Sequence, residues 1–175
     1  MKPIGNWNEI EAQGNEEHKR LVPGGYVCRI TNVTDNPDKQ YLYIEFDIAE
    51  GEYMGYGSSC MERNGFTPLR MYRSYTDKAA GMFKGFVNDV EQSNAPHYKW
   101  DWNEKSLIGR MVGVVLGEEE YKKQSGEIGT RFNVRTRTTA AIRDGKFKVP
   151  EKKTLPQEQT ANAFTPVDTD EEIPF

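Results

Sequence analysis

Asp77-Lys78-Ala79-Ala80-Gly81-Met82-Phe83-Lys84-Gly85-Phe86-Val87-Asn88-Asp89-Val90-Glu91-Gln92 is the one stretch of the chain with a clear helical repeat. Ala79, Met82, Phe83, Phe86, Val87 and Val90 fall at i, i+3, i+4, i+7, i+8 and i+11, a single apolar stripe. Thr76 stands where an N-cap belongs, and Asn94-Ala95-Pro96 stops the repeat. Gly81 and Gly85 each cost about 1 kcal/mol against Ala in a helix interior. What surrounds this helix is not helical, so its place among the strands decides the fold.

Upstream lie three strand-like stretches. The first runs from Tyr26 to Val33 after Pro23-Gly24-Gly25, with Cys28 and Ile30 facing in and Arg29 and Thr31 facing out. A turn, Asp35-Asn36-Pro37-Asp38-Lys39, leads to the second, Tyr41 to Ile48. There Leu42, Ile44, Phe46 and Ile48 alternate with Tyr41, Tyr43, Glu45 and Asp47, the pattern of a half-buried strand. Glu50 to Gly65 is Gly-rich and reads as irregular. Phe66 to Tyr75 reads as a third strand, with Leu69 and Met71 inward and Arg70, Tyr72 and Ser74 outward.

Downstream, Tyr98 to Trp102 is a connector in which Trp100 and Trp102 read as packing groups at the helix exit. A fourth strand is expected from about Leu107 to Leu116. Gly109, Gly113 and Gly117 recur there every four residues, as in a strand that bends sharply while a barrel closes. A charged loop, Glu118 to Gly129, precedes a fifth strand from Arg131 to about Ile142. The polar segment 1–23 is an N-terminal extension in which Asn6 would cap a turn and Trp7 and Ile10 would pin it to the body. Strand, strand, strand, helix, strand, strand is the order of a five-stranded OB-fold barrel. The expected class is all-β with one helix, in a domain spanning 1–149.

From residue 150 the composition changes. Residues 150–175 hold four of the nine prolines and no glycine, the mark of a disordered linker and tail. Residues 1–150 carry 21 basic and 21 acidic side chains, and residues 151–175 carry 2 and 6, so the tail supplies the whole net charge of −4. An acidic overall balance therefore does not argue against a nucleic-acid surface on the body. No run approaches the roughly 20 apolar residues of a membrane span, and no apolar signal region opens the chain. A cytoplasmic protein is expected, with Cys28 and Cys60 as reduced thiols. Two histidines and two separated cysteines make no zinc spacing, so no metal and no cofactor are expected. Walker A, HExxH, nucleophile-elbow and GxGxxG signatures are all missing, which points away from an enzyme. A carboxylate-metal nuclease would need scattered acids to converge in space.

Sequence-tolerant binding of single strands needs cations along a phosphate path and aromatic faces for the bases. Arg131, Arg135 and Arg137 share one face of the fifth strand, and residues 129–148 hold six basic groups against Asp144 alone. Arg29, Arg70 and Tyr72 extend the patch over neighbouring strands. Tyr41 and Tyr43 face outward on the strand that lines the OB binding face. Against this, Glu45 and Asp47 share the tyrosines' face and oppose phosphate, and the arginines would equally suit a solvated face paired to neighbouring acids. Tyr121-Lys122-Lys123 sits where OB loops close over ligand, but beside Glu118-Glu119-Glu120.

The chain ends Asp168-Thr169-Asp170-Glu171-Glu172-Ile173-Pro174-Phe175. Acids before a short apolar end do not suit a core, because the acids would be desolvated with it. They suit docking of the Phe175 ring and terminal carboxylate in a basic-rimmed pocket of another protein. This end resembles the acidic tip of bacterial single-stranded DNA-binding proteins. Asn6 to Ala12, Gly24 to Cys28, Tyr43 to Gly51, Gly81 to Phe86 and Lys99 to Trp102 resemble stretches of a family encoded by phages and prophages of Gram-positive bacteria, similar to single-stranded DNA-binding proteins. The resemblance implies a non-enzymatic protein that coats single-stranded DNA in replication or recombination in the host cytoplasm. It also implies recruitment of a recombinase, nuclease, primase or helicase through Asp170, Glu171, Glu172, Ile173, Pro174 and Phe175. The alternative is an OB-fold adaptor that modulates host repair or replication proteins and binds no nucleic acid. Oligomeric state, a homo-oligomer included, is left open by the sequence.

Overall fold

The computed structural model describes residues 2, 3, 5, 7–9 and 20–156 of the 175. Five strands, β1 (Gly24–Asn36), β2 (Tyr41–Ile48), β3 (Arg70–Ser74), β4 (Met111–Lys122) and β5 (Ile128–Arg137), form one antiparallel sheet in the order β3-β2-β1-β4-β5. Three helices accompany it: α1 (Tyr56–Asn64), α2 (Ala80–Ser93) and α3 (Thr139–Arg143). The fold is mostly β, with its helices in the β2–β3 and β3–β4 connections and after β5.

β1 is the central strand and is longer than its apolar run, because it serves two partners whose ladders overlap at Cys28 and Arg29. Its first half pairs with β4, from Gly24 opposite Leu116 to Arg29 opposite Met111. Its second half continues against β2 to Asn36 opposite Tyr41, with a bulge between Ile30 and Asn32. The extra residue bends the strand and increases its twist, so the sheet curls. The two ends of the order, β3 and β5, come into contact. Inside the curl lie Ile30, Ile44, Phe46, Leu69, Val112 and Leu116, with Phe86 and Val90 of α2 beneath them. Each such side chain contributes about 1.5–3 kcal/mol by leaving water.

The strict alternation of β2 is realised in full: Leu42, Ile44, Phe46 and Ile48 are buried and the four residues between them are partly exposed. Cys28 and Ile30 face in, and Met71 on β3 and Leu69 just before it are buried. On α2, Phe83, Phe86, Val87 and Val90 are buried as the periodicity requires. Met82 is not, at 66% exposed, because the buried stripe is narrower than the apolar one and Met82 lies on its flank. The helix is preceded by a 3-10 turn, Asp77–Ala79, and Thr76 makes no side-chain cap to it. The Thr76 hydroxyl is instead 3.2 Å from that of Ser74.

Among the described residues the expected single helix is three. α1 occupies the stretch read as irregular, between left-handed Gly55 (φ 83) and Gly65 (φ 78). It has no apolar period to reveal it, and its start is held by an acid distant in sequence. Asp47 Oδ1 accepts from the Gly57 N–H at 2.7 Å, and Ser58 Oγ donates to Asp47 Oδ2 at 2.5 Å. Gly57 is required there, since a Cβ would stand 2.7 Å from the Phe46 carbonyl oxygen. The third strand begins at Arg70 rather than Phe66.

The expected charged loop 118–129 is mostly hairpin. β4 runs on to Lys122 and β5 starts at Ile128, closed by Lys123 N–H to Glu127 carbonyl at 2.8 Å. Opposite charges face each other across it, as Glu119 does Arg131, and such pairs support a ladder that composition alone reads as a loop. β5 ends at Arg137 instead of near Ile142. Thr138 caps α3, its hydroxyl accepting from the Ala141 N–H at 3.2 Å.

Of the recurring glycines, Gly109 takes a left-handed φ of 87 in open space before β4, while Gly113 and Gly117 serve close approach. A Cβ at Gly113 would meet the Thr138 carbonyl oxygen at 2.6 Å, and one at Gly117 would meet Pro150 at 2.8 Å. Residues 146–156 therefore form a strap over this face, with Phe147 against Gly25. Lys153 pairs in parallel with β4: its N–H donates to the Glu118 carbonyl at 3.0 Å, and its carbonyl accepts from the Glu120 N–H at 2.8 Å. The stretch 150–156, where the linker was expected to begin, is thus laid along the sheet. Among the described residues no helix is long and apolar enough to cross a membrane. Trp7, in a short 3-10 turn, is exposed rather than packed, and Asn6 and Ile10 lie outside the described residues.

Candidate nucleic-acid interface

Antiparallel register brings three of the predicted tyrosines together. Tyr43 on β2 stands directly opposite Tyr72 on β3, and Tyr41 opposite Ser74. The Tyr72 ring lies 5.3 Å from that of Tyr41 at 80°, and 5.1 Å from that of Tyr43 at 49°. Tyr72 is 62% exposed, so the cluster presents ring surface outward rather than closing on itself. Such tilted pairs hold each other in place. Burial raises the Tyr43 phenol above its ordinary pKa of 10.0, the hydrogen bond from Arg70 pulling the other way. Tyr43 thus stays neutral at physiological pH.

The acids that share this face are largely occupied. Asp47 is spent on α1, accepting from the backbone of Gly57, from Ser58 and from the Ile48 N–H. Glu45 lies directly opposite Arg70 in the ladder. Arg70 therefore sits between an acid and the aromatics, with its guanidinium 6.0 Å from the Phe66 ring centre.

Beside the tyrosines, between β3 and the β4–β5 hairpin, opens a cleft of about 610 Å³. Arg70, Tyr72 and Phe66 line it on one side, and Tyr121, Arg131 and Phe132 on the other, with Leu21 and Met71 among its apolar residues. It lies at the ends of the strand order, where no ladder joins β3 to β5. Arg131 is fixed twice: its Nε donates to Glu119 Oε1 at 2.7 Å, and its guanidinium lies 5.2 Å over the Tyr121 ring.

Of the eight body residues predicted to contact nucleic acid, Tyr41, Tyr43, Arg70 and Tyr72 form one surface and Arg131 faces the adjoining cleft. Arg29, Arg135 and Arg137 do not line that cleft. Arg29 is opposite Asp47, two residues along β2 from Glu45. Arg135 and Arg137 are exposed opposite Val115 and Gly113, and Arg137 donates to the Thr136 carbonyl at 2.8 Å. Phe66, Tyr121 and Arg20 were not among the predicted contacts. Phe66 looked like the first residue of a strand, and Tyr121 was overshadowed by the three glutamates before it. Trp100 packs against Phe83 at 6.0 Å, as expected of a helix exit, while Trp102 is 82% exposed. Cys28 is a core residue whose thiol is pushed up by burial. The predicted tip, Asp170 to Phe175, lies outside the described residues.

A nuclease would need acids brought together. Among the described residues no group of three His, Cys, Asp or Glu side chains could hold a metal ion. Comparison of the sequence with protein-family models and with curated proteins gives no match.

Proposed function

We propose that this chain is a non-enzymatic single-stranded DNA-binding protein built on a five-stranded OB-type barrel. The strand order, with its two ends in contact and α2 between β3 and β4, fits that barrel, α1 being an addition in the β2–β3 connection. OB-folds take their ligands on the β2–β3 face between the 1–2 and 4–5 loops. The observation that carries the reading is the tyrosine platform of Tyr41, Tyr43 and Tyr72 on that face, bordered by Arg70 and facing Arg131 over the cleft. Stacking on such rings tolerates any base, and arginines beside them track phosphate.

In this reading the protein coats exposed strands during phage replication or recombination in the cytoplasm of a bacterial host. The tip Asp170 to Phe175 recruits replication or recombination proteins. The test is fluorescence anisotropy of labelled oligo-dT against duplex competitor, from low to moderate salt. Preferential single-strand binding that weakens with salt is expected. No binding by folded protein at low salt would overturn the proposal and leave the protein-interaction adaptor as the reading.

A further inference from the structure

The tyrosine platform is a surface, but the cleft beside it is a cavity, and a strand lying on the platform alone would leave that cavity unused. Its volume, about 610 Å³, lies within the range of about 300–1,000 Å³ typical of sites for small molecules. Its lining is mixed. Met71 and Leu21 belong to the core, and Phe132 and Val134 pack against it. Phe66 is 52% exposed at the wall.

Each wall carries the same pairing. Arg70 lies by Phe66 on one side, and Arg131 lies over Tyr121 on the other. A guanidinium resting on a ring covers apolar surface at little cost and can leave it for a phosphate. Glu118 and Glu119 line the cleft as well. With Glu119 already paired to Arg131, the charges of the lining are close to balanced, which leaves a neutral, flat group free to enter. A nucleobase has that character: two π faces for the rings and polar edges for the rest.

Resting on the single-strand reading above, we infer that the cleft between β3 and β5 is a base pocket. One base of the bound strand turns away from the tyrosine platform and seats between the Phe66 and Tyr121 walls. Arg70 and Arg131 leave their rings for the phosphates on either side of it.

The experiment uses the full chain and an oligo-dT of about 8 nucleotides, within the range of single-fold site sizes, carrying one central 2-aminopurine. Anisotropy reads affinity, and 2-aminopurine fluorescence reads stacking of that base. Phe66→Leu keeps the wall apolar and removes the ring, at a position exposed enough to spare the fold, which a thermal melt checks. The expected result is an affinity loss of about 5- to 150-fold, the fold-equivalent of one lost stack. The 2-aminopurine quenching seen with the unmodified chain should be lost with it, and Phe66→Tyr should restore both. If Phe66→Leu and Tyr121→Leu match the unmodified chain in affinity and quenching, while Tyr41→Leu weakens binding, the strand uses the platform alone and the pocket is overturned. If the unmodified chain binds no oligonucleotide at low salt, the single-strand reading itself fails, and the pocket with it.

Discussion

The Tyr72 ring stands nearly perpendicular to that of Tyr41, 5.3 Å away, although 31 residues of chain separate them. Neither residue is required by the core, since both lie on the outer face of their strands. Tyr72→Ala should therefore weaken oligo-dT binding by about 1–3 kcal/mol, the worth of a base stack. Tyr72→Phe should cost much less, because it keeps the ring. Anisotropy titration reads both, and equal loss from the two variants would show that the hydroxyl, not the face, matters.

Arg131 is held by Glu119 in the free protein. Phosphate must displace that carboxylate, so Glu119→Gln should tighten single-strand binding. The gain should be no more than about 1 kcal/mol, because the Arg131 side of the pair is solvent-exposed. Arg131→Gln should flatten the dependence of log affinity on log salt by about 0.7 for each phosphate that is no longer neutralised. Arg135→Gln and Arg137→Gln should leave the slope near that of the unmodified chain. A slope change from them equal to that of Arg131→Gln would move the phosphate path along β5.

Asp89 on α2 accepts a hydrogen bond from Thr136 Oγ1 at 2.9 Å. Burial raises its carboxyl above the ordinary 3.8, with Thr136, Arg137 and Arg73 opposing. A group whose folded pKa is raised favours the folded state most below its unfolded pKa. That contribution is lost as pH rises through the folded value. The stability difference between the unmodified chain and Asp89→Asn should thus fall from pH 3.8 upward and level off above the raised pKa. Denaturant melts across that range test it, and a difference that grows with pH would contradict it. Thr136→Val removes the donor to a part-buried carboxylate and should cost about 1.5–3 kcal/mol at neutral pH.

Gly113 lies under α3, where a Cβ would meet carbonyl oxygens of Arg137 and Thr138 at 2.9 and 2.6 Å. Backbone cannot yield as a side-chain tip can. Gly113→Ala should cost at least about 1–3 kcal/mol in a denaturant melt, the range for overpacking. Gly81→Ala, in open space on α2, should instead stabilise by about 1 kcal/mol through helix propensity.

Deleting residues 168–175 removes four acids. If the tail competes with DNA for basic groups, the truncated chain should bind oligo-dT more tightly at low salt and converge with the full chain as salt rises. Recruitment of protein partners should be lost. Affinity unchanged at every salt concentration would rule out the competition.

Much of the fold was legible where one period ran unbroken. The alternation Tyr41 to Ile48 and the stripe Phe83 to Val90 were set by burial on one face, which demands period 2 or 3.6. α1 was illegible because its turn is held by Asp47, a carboxylate ten residues from Gly57, and by no apolar stripe of its own. The 118–129 hairpin was illegible because charged strands lack the signal that burial imposes. At the site, outward residue types marked Tyr41, Tyr43, Arg70, Tyr72 and Arg131. Strand alternation alone did not separate Arg131 from Arg135 and Arg137, which share its parity but not its neighbours.

By itself the sequence determined which side chains must leave water, and so which faces of β2, β3 and α2 turn inward. It also determined the confinement of the excess negative charge to the last 25 residues. Register and curl belong to the tertiary structure alone. The bulge after Ile30 lies within the β1–β2 ladder, and β3 comes near β5. That approach of the two sheet ends puts Phe66 and Arg70 on the same cleft as Tyr121 and Arg131. The reason is physical: hydrophobic burial is local and periodic along the chain, whereas the meeting of two sheet ends depends on the twist accumulated across every strand between them.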